Sequence, residues 1–284
     1  MAFFLLARGI MRHDLSLLRR IVLIVMVCAG AVLVGCATPP DAPHPVEADP
    51  DASPPVVQVQ PVVVGTPWAT ASRELGDISL WRHFKLPGKQ ATKFVAARLD
   101  GRDTMAVTAV SSASMLRKTV RIEPAALGAV NFSWKVPGLI ANADMALRDQ
   151  DDSVVRIVLA FDGDRSRFSP KNAMLAEMAR LLTGEEMPYA TLMYVWCNDR
   201  PPGTVIVNPR TDRIRKLVVE SGPRHLGQWM DYQRDVRADF KQAFGEDPGA
   251  LIAIGIMTDS DNTRSTVKAW YGPVRMVPAV AARD

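Results

Sequence analysis

The chain is poor in the residues that build metal and nucleophile sites. It has three cysteines and four histidines among 284 residues. Only His44, His83 and His225 follow the N-terminal leader described below, so a zinc cluster would lack ligands. No nucleophile elbow, phosphate loop or dinucleotide fingerprint is present. The sequence therefore gives no support to zinc chemistry, a serine-type triad or nucleotide binding.

Excess positive charge is also lacking outside the leader. The formal net charge is +4, but the residues from Cys36 onward hold 30 basic and 29 acidic side chains. Nucleic-acid binding depends on a clustered basic surface. We therefore expect no nucleic-acid partner.

The first 35 residues have the layout of a secretory signal. Basic residues precede an apolar run from Ile21 to Val34, which is short for a membrane span. The last four positions, Leu33-Val34-Gly35-Cys36, resemble a bacterial lipobox. This resemblance implies cleavage after residue 35 and a lipid on the sulfur of Cys36. The alternative is an uncleaved transmembrane anchor.

The residues that follow predict a tether. Nine of the 21 prolines lie between Ala37 and Pro67, and this composition is typical of an extended linker. Lipidated Cys36 would bind the chain to a membrane. Ala37 occupies the position where inner-membrane retention usually needs Asp, so we expect the outer membrane, with the protein facing the periplasm. Cys197 is then the one remaining thiol, and no intramolecular disulfide is possible.

From residue 68 to 284 we predict a single domain. About a dozen short runs are rich in β-branched and aromatic residues and are separated by Gly, Pro, Asp and Asn. This pattern predicts a mainly β fold, a jelly-roll-like β-sandwich. Two segments have helical spacing instead and end in Gly, residues 170–184 and 226–245. We expect both to be helices inserted over the β core.

Polar residues follow the most apolar of these runs, Leu251 to Met257. Asp259, Asp261 and Asn262 offer oxygen ligands of the kind that calcium prefers. The spacing does not match an EF-hand loop, because Arg264 and Trp270 replace its Gly and Glu. Asp259 and Asp261 are candidate metal ligands with help from other oxygens. The alternative is that these side chains cap a turn after the strand.

A charged residue also interrupts an apolar run, since Arg156 lies within VVRIVLAF. A buried guanidinium needs a carboxylate, and we expect Asp259 or Asp261 as the partner, close to Asp152. Such a cluster could bind a ligand in a cleft or serve as a polar clamp in the core. Trp196 shares a strand face with Tyr194 and could stack on a sugar ring, although large aromatics at strand spacing usually lie in the core. The candidate ligand-binding residues are Asp152, Arg156, Trp196, Asp259, Asp261 and Asn262.

Several long motifs occur in a fixed order, among them DDSVVRIVLAFDG, NPRTDRIRKLVVESG, GQWMDYQRDVRADFKQAFG and IGIMTDSDNTRSTVKAWYG. In this order they resemble the bacterial domain-of-unknown-function family 3047, over nearly all of the chain from Trp68 to Val277. The resemblance implies one domain in an envelope setting. It assigns no functional residues.

These features together predict a lipid-anchored envelope protein that binds a glycan or another envelope component. One alternative is a polysaccharide hydrolase or lyase, with acid and base from the Asp259 region or from Asp231, Asp235 and Asp239, spaced four residues apart. Another is a structural or protein-partner module. We assign no catalytic residue.

Overall fold

The computed structural model describes residues 67–74, 76–77 and 79–279. The predicted signal segment, Cys36 and nearly all of the predicted tether lie outside the described residues. Within the described part, strands dominate, and they form two sheets with three α-helices. No helix of this part is long and apolar enough to cross a membrane.

The first sheet, sheet A, has seven strands in the order β1-β4-β11-β6-β7-β9-β8. Their bounds are Arg82–Lys85 (β1), Ala113–Ile122 (β4), Leu251–Asp259 (β11), Ser153–Phe161 (β6), Ala190–Cys197 (β7), Ile214–Ser221 (β9) and Val205–Val207 (β8). Among the described strands, β7 and β9 form the one parallel pair. The chain between them carries β8, which pairs with the far side of β9.

The second sheet, sheet B, has the order β10-β5-β12-β3-β2, and β13 also pairs with β5. The bounds are Trp229–Asp235 (β10), Ala129–Lys135 (β5), Thr266–Tyr271 (β12), Arg102–Val110 (β3), Lys93–Leu99 (β2) and Arg275–Val277 (β13). The predicted mainly β sandwich is confirmed. The parallel β7–β9 pair departs from the antiparallel pattern of a jelly roll.

The main core lies between the sheets, where side chains of both inner faces meet. Phe132 of β5 stacks on Tyr194 of β7 with ring centroids 5.5 Å apart, and Trp134 beside them is fully buried. Sheet A is apolar on its outer face as well. Alternate residues of its strands, such as Met193 and Met257, form a second buried cluster there.

The three helices are Pro67–Ala71 (α1), Pro170–Thr183 (α2) and Val236–Phe244 (α3). Helix α2 was predicted, and its ends follow the sequence signals. The Ser169 hydroxyl accepts a bond from the Asn172 amide at 3.3 Å, and Gly184 ends the helix at φ 73°.

The prediction of a helix over 226–245 was wrong in its first half. Trp229–Asp235 is strand β10, paired with β5, and the helix begins only at Val236. Tyr232 stacks on Phe132 of β5 with ring centroids 5.2 Å apart, and this cross-strand contact outweighs the helical spacing. The Asp235 carboxylate caps the Ala238 amide at 3.0 Å, which fixes the helix start.

A buried cation joins the N-terminal residues of the domain to sheet A. Lys118 of β4 is fully buried, and its Nζ donates to Asp77 at 2.6 Å, to Glu74 at 2.7 Å and to the Ser72 carbonyl at 3.1 Å. Partial burial raises the pKa of Asp77, but the bonds from Lys118 and Ser79 outweigh it and lower the pKa to about 2.

We expect Lys118→Ala to lower the free energy of unfolding by about 3–5 kcal/mol, because two carboxylates lose their shared partner. Urea unfolding measures the loss. As a control, Lys268→Ala removes an exposed lysine of β12 and should change little. Equal losses of stability in the two variants would contradict a stabilising role for the buried ion pairs of Lys118.

The effect of Lys118→Ala should also depend on pH. The pKa of Asp77 is depressed in the folded protein, so its bond to Lys118 contributes stability above the unfolded pKa of about 3.9. That contribution is lost as the pH falls toward 2. The stability difference between wild type and variant should therefore shrink over this range, and a constant difference would argue against the pairing with Asp77.

Candidate functional site

A buried ion cluster lies on the outer face of sheet A. Arg156 in β6 is 3% exposed, and its guanidinium holds the Asp259 carboxylate with two bonds, Nε to Oδ1 at 3.1 Å and Nη2 to Oδ2 at 2.9 Å. The Ser153 amide donates to the same carboxylate at 2.9 Å. The predicted buried salt bridge of Arg156 is confirmed, with Asp259 as the partner rather than Asp261.

Asp151 completes the cluster. It accepts bonds from Arg156 at 3.1 Å and from Lys216 at 2.7 Å, both on Oδ1, and from Asn208 on Oδ2 at 3.0 Å. Lys216 is fully buried in β9 and also bonds to the Met145 carbonyl at 2.7 Å. Lys216 was not among the residues predicted from the sequence. Its place within the apolar run of β9 indicates a buried cation in the same way as the place of Arg156 within β6.

The pKa values in this cluster follow from burial and from the crowding of charges. Burial raises the pKa of Asp259 to about 7; Arg156 opposes this shift, while Asp151 and Asp152 add to it. Burial opposes the charge of Arg156, but the attraction of Asp259 and Asp151 prevails and raises its pKa. Burial and the nearby Arg156 charge lower the pKa of Lys216 to about 8.

One tyrosine connects this cluster to the other sheet. Tyr271 of β12 donates its hydroxyl to the Met257 carbonyl at 2.6 Å and accepts the Arg156 amide at 3.1 Å. Burial raises the pKa of this phenol. Strand β11 (Leu251–Asp259) is part of sheet A, and the Tyr271 side chain also bonds it to sheet B.

The turn after β11 is organised by Asp152. Its carboxylate accepts the amides of Asn262 at 3.2 Å and Thr263 at 2.7 Å, and also the Thr263 hydroxyl at 2.6 Å. Asp261 pairs with Lys89. Arg156 and Asp259 are therefore bonded to each other, Asp152 lies close to Asp259, and Asn262 is held through its backbone amide. Their role in ligand binding stays a prediction.

The proposed metal ligands come close together but fit a cation poorly. Asp152, Asp259 and Asp261 each have one carboxylate oxygen within 4.8 Å of the others. Both oxygens of Asp259 already bond to Arg156, and Lys89 holds Asp261. A divalent ion would have to displace two cations, so this donor set does not resemble an open oxygen cage.

Two other predicted site elements lie elsewhere. Trp196 is 2% exposed on the inner face of sheet A, and its Nε1 donates to the Gly222 carbonyl at 3.0 Å. It belongs to the inter-sheet core, so it cannot stack on an external ligand in this structure.

The acidic row Asp231, Asp235 and Asp239 does not exist as one helical face, because β10 replaces the first half of the helix. The exposed Asp231 pairs with Arg102, and Asp235 caps α3. Asp239 is buried and accepts bonds from Arg234 and from the Tyr194 hydroxyl, which lies 2.9 Å away.

The structure contains a groove that was not predicted from the sequence. It has a volume of about 780 Å³ and crosses the outer face of sheet A, with α2 and the segment after it along one side. One lining residue from each of six adjacent strands marks its course: Phe84, Met115, Gly255, Val158, Met193 and Ile214. The signal lay in β11, where large residues alternate with the small Ala253 and Gly255. These small residues leave the floor open.

The rim of the groove carries charge. Arg117 pairs with Glu185 at 2.7 Å, and its guanidinium lies over the Phe84 ring at 4.2 Å. Arg148 and Arg210 also line the groove. The ion cluster touches this space through Met193, whose sulfur lies 3.7 Å from Arg156 Nη1.

Comparison with protein families identifies the family to which the chain belongs. The model of DUF3047, a protein family of unknown function, matches residues 79–275. The chain belongs to the DUF3047 family. The match contains the whole groove floor and the ion cluster. No curated protein matches the chain.

Among solved structures, three similar chains cover 71–73% of this DUF3047 chain. The xyloglucanase domain of NopAA from Sinorhizobium fredii, in complex with cellobiose, is 8% identical over 94% of its length, with a TM-score of 0.36. A CBM4 structure is 7% identical over 92% of its length, with a TM-score of 0.32. SGBP-B from a Bacteroides uniformis xyloglucan utilization locus is 11% identical over 48% of its length, with a TM-score of 0.31.

We expect Asp259→Ala to lower the free energy of unfolding by about 3–5 kcal/mol, because Arg156 would stay buried with only Asp151, which Lys216 shares. Asp261→Ala is a matched control two residues away. It removes a pair whose lysine is 37% exposed and should cost less than about 1 kcal/mol. Chemical denaturation compares them, and equal losses would contradict the different roles.

Calcium should leave the thermal unfolding midpoint unchanged, since the candidate oxygens are already bonded to Arg156 and Lys89. Differential scanning fluorimetry with calcium and then with chelator measures this. A rise of several degrees that the chelator reverses would restore Asp259 and Asp261 as metal ligands.

Proposed function

We propose that this domain is a binding module of the cell envelope, and that it holds a ligand with an extended apolar surface in the groove of sheet A. The supporting observation is the groove itself. Its volume of about 780 Å³ lies in the range of small-molecule sites, about 300–1,000 Å³. Its floor is apolar and is formed by strands of a sheet whose other face is packed in the core.

The placement of carboxylates favours binding over catalysis. A glycosidase needs two carboxylates that face one substrate bond, one of them kept protonated by its surroundings. Asp259 is buried and bonded to Arg156, and the groove carboxylates Glu185 and Glu186 are neighbours in sequence, at least half exposed, and ion-paired with Arg117 and Arg165.

A glycan is the second candidate ligand. The rim offers hydrogen-bonding groups, namely Arg117, Glu185, Glu186 and Thr191, which suit hydroxyl-rich molecules. Aromatic platforms are scarce, however. Among the described residues, Phe84 is the one aromatic side chain that lines the groove, and Arg117 covers a face of its ring. Glycan binding therefore stays a prediction with weaker support than an apolar ligand.

The proposal includes the membrane tether. Cys36 would carry the lipid, and the proline-rich residues up to 67 would let the domain work away from the bilayer. With Ala37 after the cysteine, we propose the outer membrane with the domain in the periplasm. The support is the sequence pattern of the leader.

Filling the groove should abolish binding of an uncharged hydrophobic dye. In the purified full chain we expect wild type to bind N-phenyl-1-naphthylamine, and Ala253→Phe to weaken this binding at least tenfold. Ala253 lies on the groove floor and has no room for a ring without occupying the ligand space. Fluorescence titration measures the dissociation constant.

Ala97→Phe is the matched control, because the same change falls on an exposed position of β2 in the other sheet. It should leave dye binding unchanged. Unaltered binding in Ala253→Phe would overturn the groove as the site. Displacement of the dye by cellohexaose, and not by hydrocarbon-chain compounds, would favour the glycan instead.

Lipidation is tested directly in cells. We expect the chain to incorporate radiolabelled palmitate and to sediment with membranes, and Cys36→Ser to lose the label. Cys28→Ser, within the predicted leader, is the control and should keep it. Labelling that persists in Cys36→Ser would refute the lipid anchor.

A further inference from the structure

We propose that the groove ligand is a long-chain acyl amphiphile with an anionic head group, and that Arg148 and Arg210 bind the head. This inference rests on the proposed function, because it names the ligand class of the same groove.

The floor suits an acyl chain. Along the groove, the strand residues Met115, Gly255, Val158, Met193 and Ile214 carry no hydrogen-bonding side chain, while Thr191 and Arg117 are polar exceptions on the same strands. Strands lie about 4.8 Å apart, so the path across six of them is about 24 Å long. A long, narrow and flexible hydrocarbon can follow such a path. A sugar would leave its hydroxyls without partners there.

The charges suit an anion at one end. Within the described part of the chain, the groove carboxylates Glu185 and Glu186 both have basic partners. Arg148 and Arg210 have no carboxylate partner there, and both are exposed. Asp149 follows Arg148 but does not line the groove. Among the described residues, the rim therefore presents two guanidinium groups without a carboxylate partner to the ligand space.

The two arginines also give the groove a direction. Arg210 lies in the turn between β8 and β9, and its Nη2 is 3.5 Å from the Arg148 carbonyl. Ile214 opens β9 at the same end, while Phe84 of β1 marks the other. The head group would lie at the β9 end, and the hydrocarbon tail would extend toward β1.

The side of the groove formed by α2 is partly apolar. Leu182 of this helix lines the groove and is 65% exposed. A hydrocarbon in the groove would therefore also contact the Leu182 side chain.

The test compares head groups on one chain length. Dodecanoate, dodecanol and dodecyltrimethylammonium are titrated below their aggregation concentrations against the purified full chain with bound N-phenyl-1-naphthylamine. We expect dodecanoate to bind about three- to tenfold more tightly than the other two, and this preference to weaken with added salt. Each methylene added from octanoate to dodecanoate should tighten binding by up to about fourfold.

Two sets of variants test which residues bind the head group and which contact the hydrocarbon chain. Arg148→Gln/Arg210→Gln should lose the preference for the carboxylate but keep dodecanol binding. Lys93→Gln/Lys268→Gln removes the same charge from exposed positions of sheet B and should change neither. Met115→Trp, toward the β1 end, should shorten the preferred chain without changing the head-group preference.

The outcomes separate the two proposals. Equal affinity for all three head groups, or a preference that survives Arg148→Gln/Arg210→Gln, would overturn the anionic head while leaving an apolar-ligand groove. Dye binding that Ala253→Phe does not affect would overturn both. Binding to phosphatidylglycerol vesicles without binding to monomeric dodecanoate would identify a membrane-docking surface and overturn the inference, and so would self-association that fills the groove with a second copy.

Discussion

The charge of Arg156 is removed from water, and much of the outer face of sheet A is arranged to compensate for it. Asp259 from β11 supplies two bonds, and Asp151 from the preceding segment supplies a third. Lys216 balances the extra carboxylate. Removing one member of a buried ion pair leaves an uncompensated charge. Strands β6, β9 and β11 and the segment before β6, which hold these residues, therefore depend on one another. The cluster fixes the loop before β6 over one half of the face.

The other half of the same face forms the floor of the groove, and there the residues are mostly small or apolar. Polar groups that are already bonded to one another have little capacity left for a ligand, whereas an apolar floor in contact with water gains free energy from any hydrocarbon that covers it. We therefore propose that the ion cluster stabilises the fold, while the apolar surface beside it carries the proposed function.

The sequence allowed much of this structure to be predicted, and the limits have physical causes. Arg156 within an apolar run required a buried carboxylate, with Asp259 and Asp261 as the alternatives, and the structure shows that Asp259 at the end of β11 is the partner. Alternation along strands predicted the sandwich. The segment 226–245 misled because its helical spacing is real, but pairing with β5 and the stacking of Tyr232 on Phe132 prevail over local spacing. The groove depends on which strands become neighbours, and no single stretch encodes that order.

The position of β11 in sheet A has a consequence for synthesis of the chain. β11 lies between β4 and β6, yet it is encoded about a hundred residues after β6 and near the C-terminus. A nascent chain that has not yet reached residue 259 leaves both strands with open edges and Arg156 without its main partner. Such non-local pairing slows folding and exposes edges that aggregate. Sheet A can therefore be completed only once β11 has been made, and a chain that ends before β11 should have no stable sheet A.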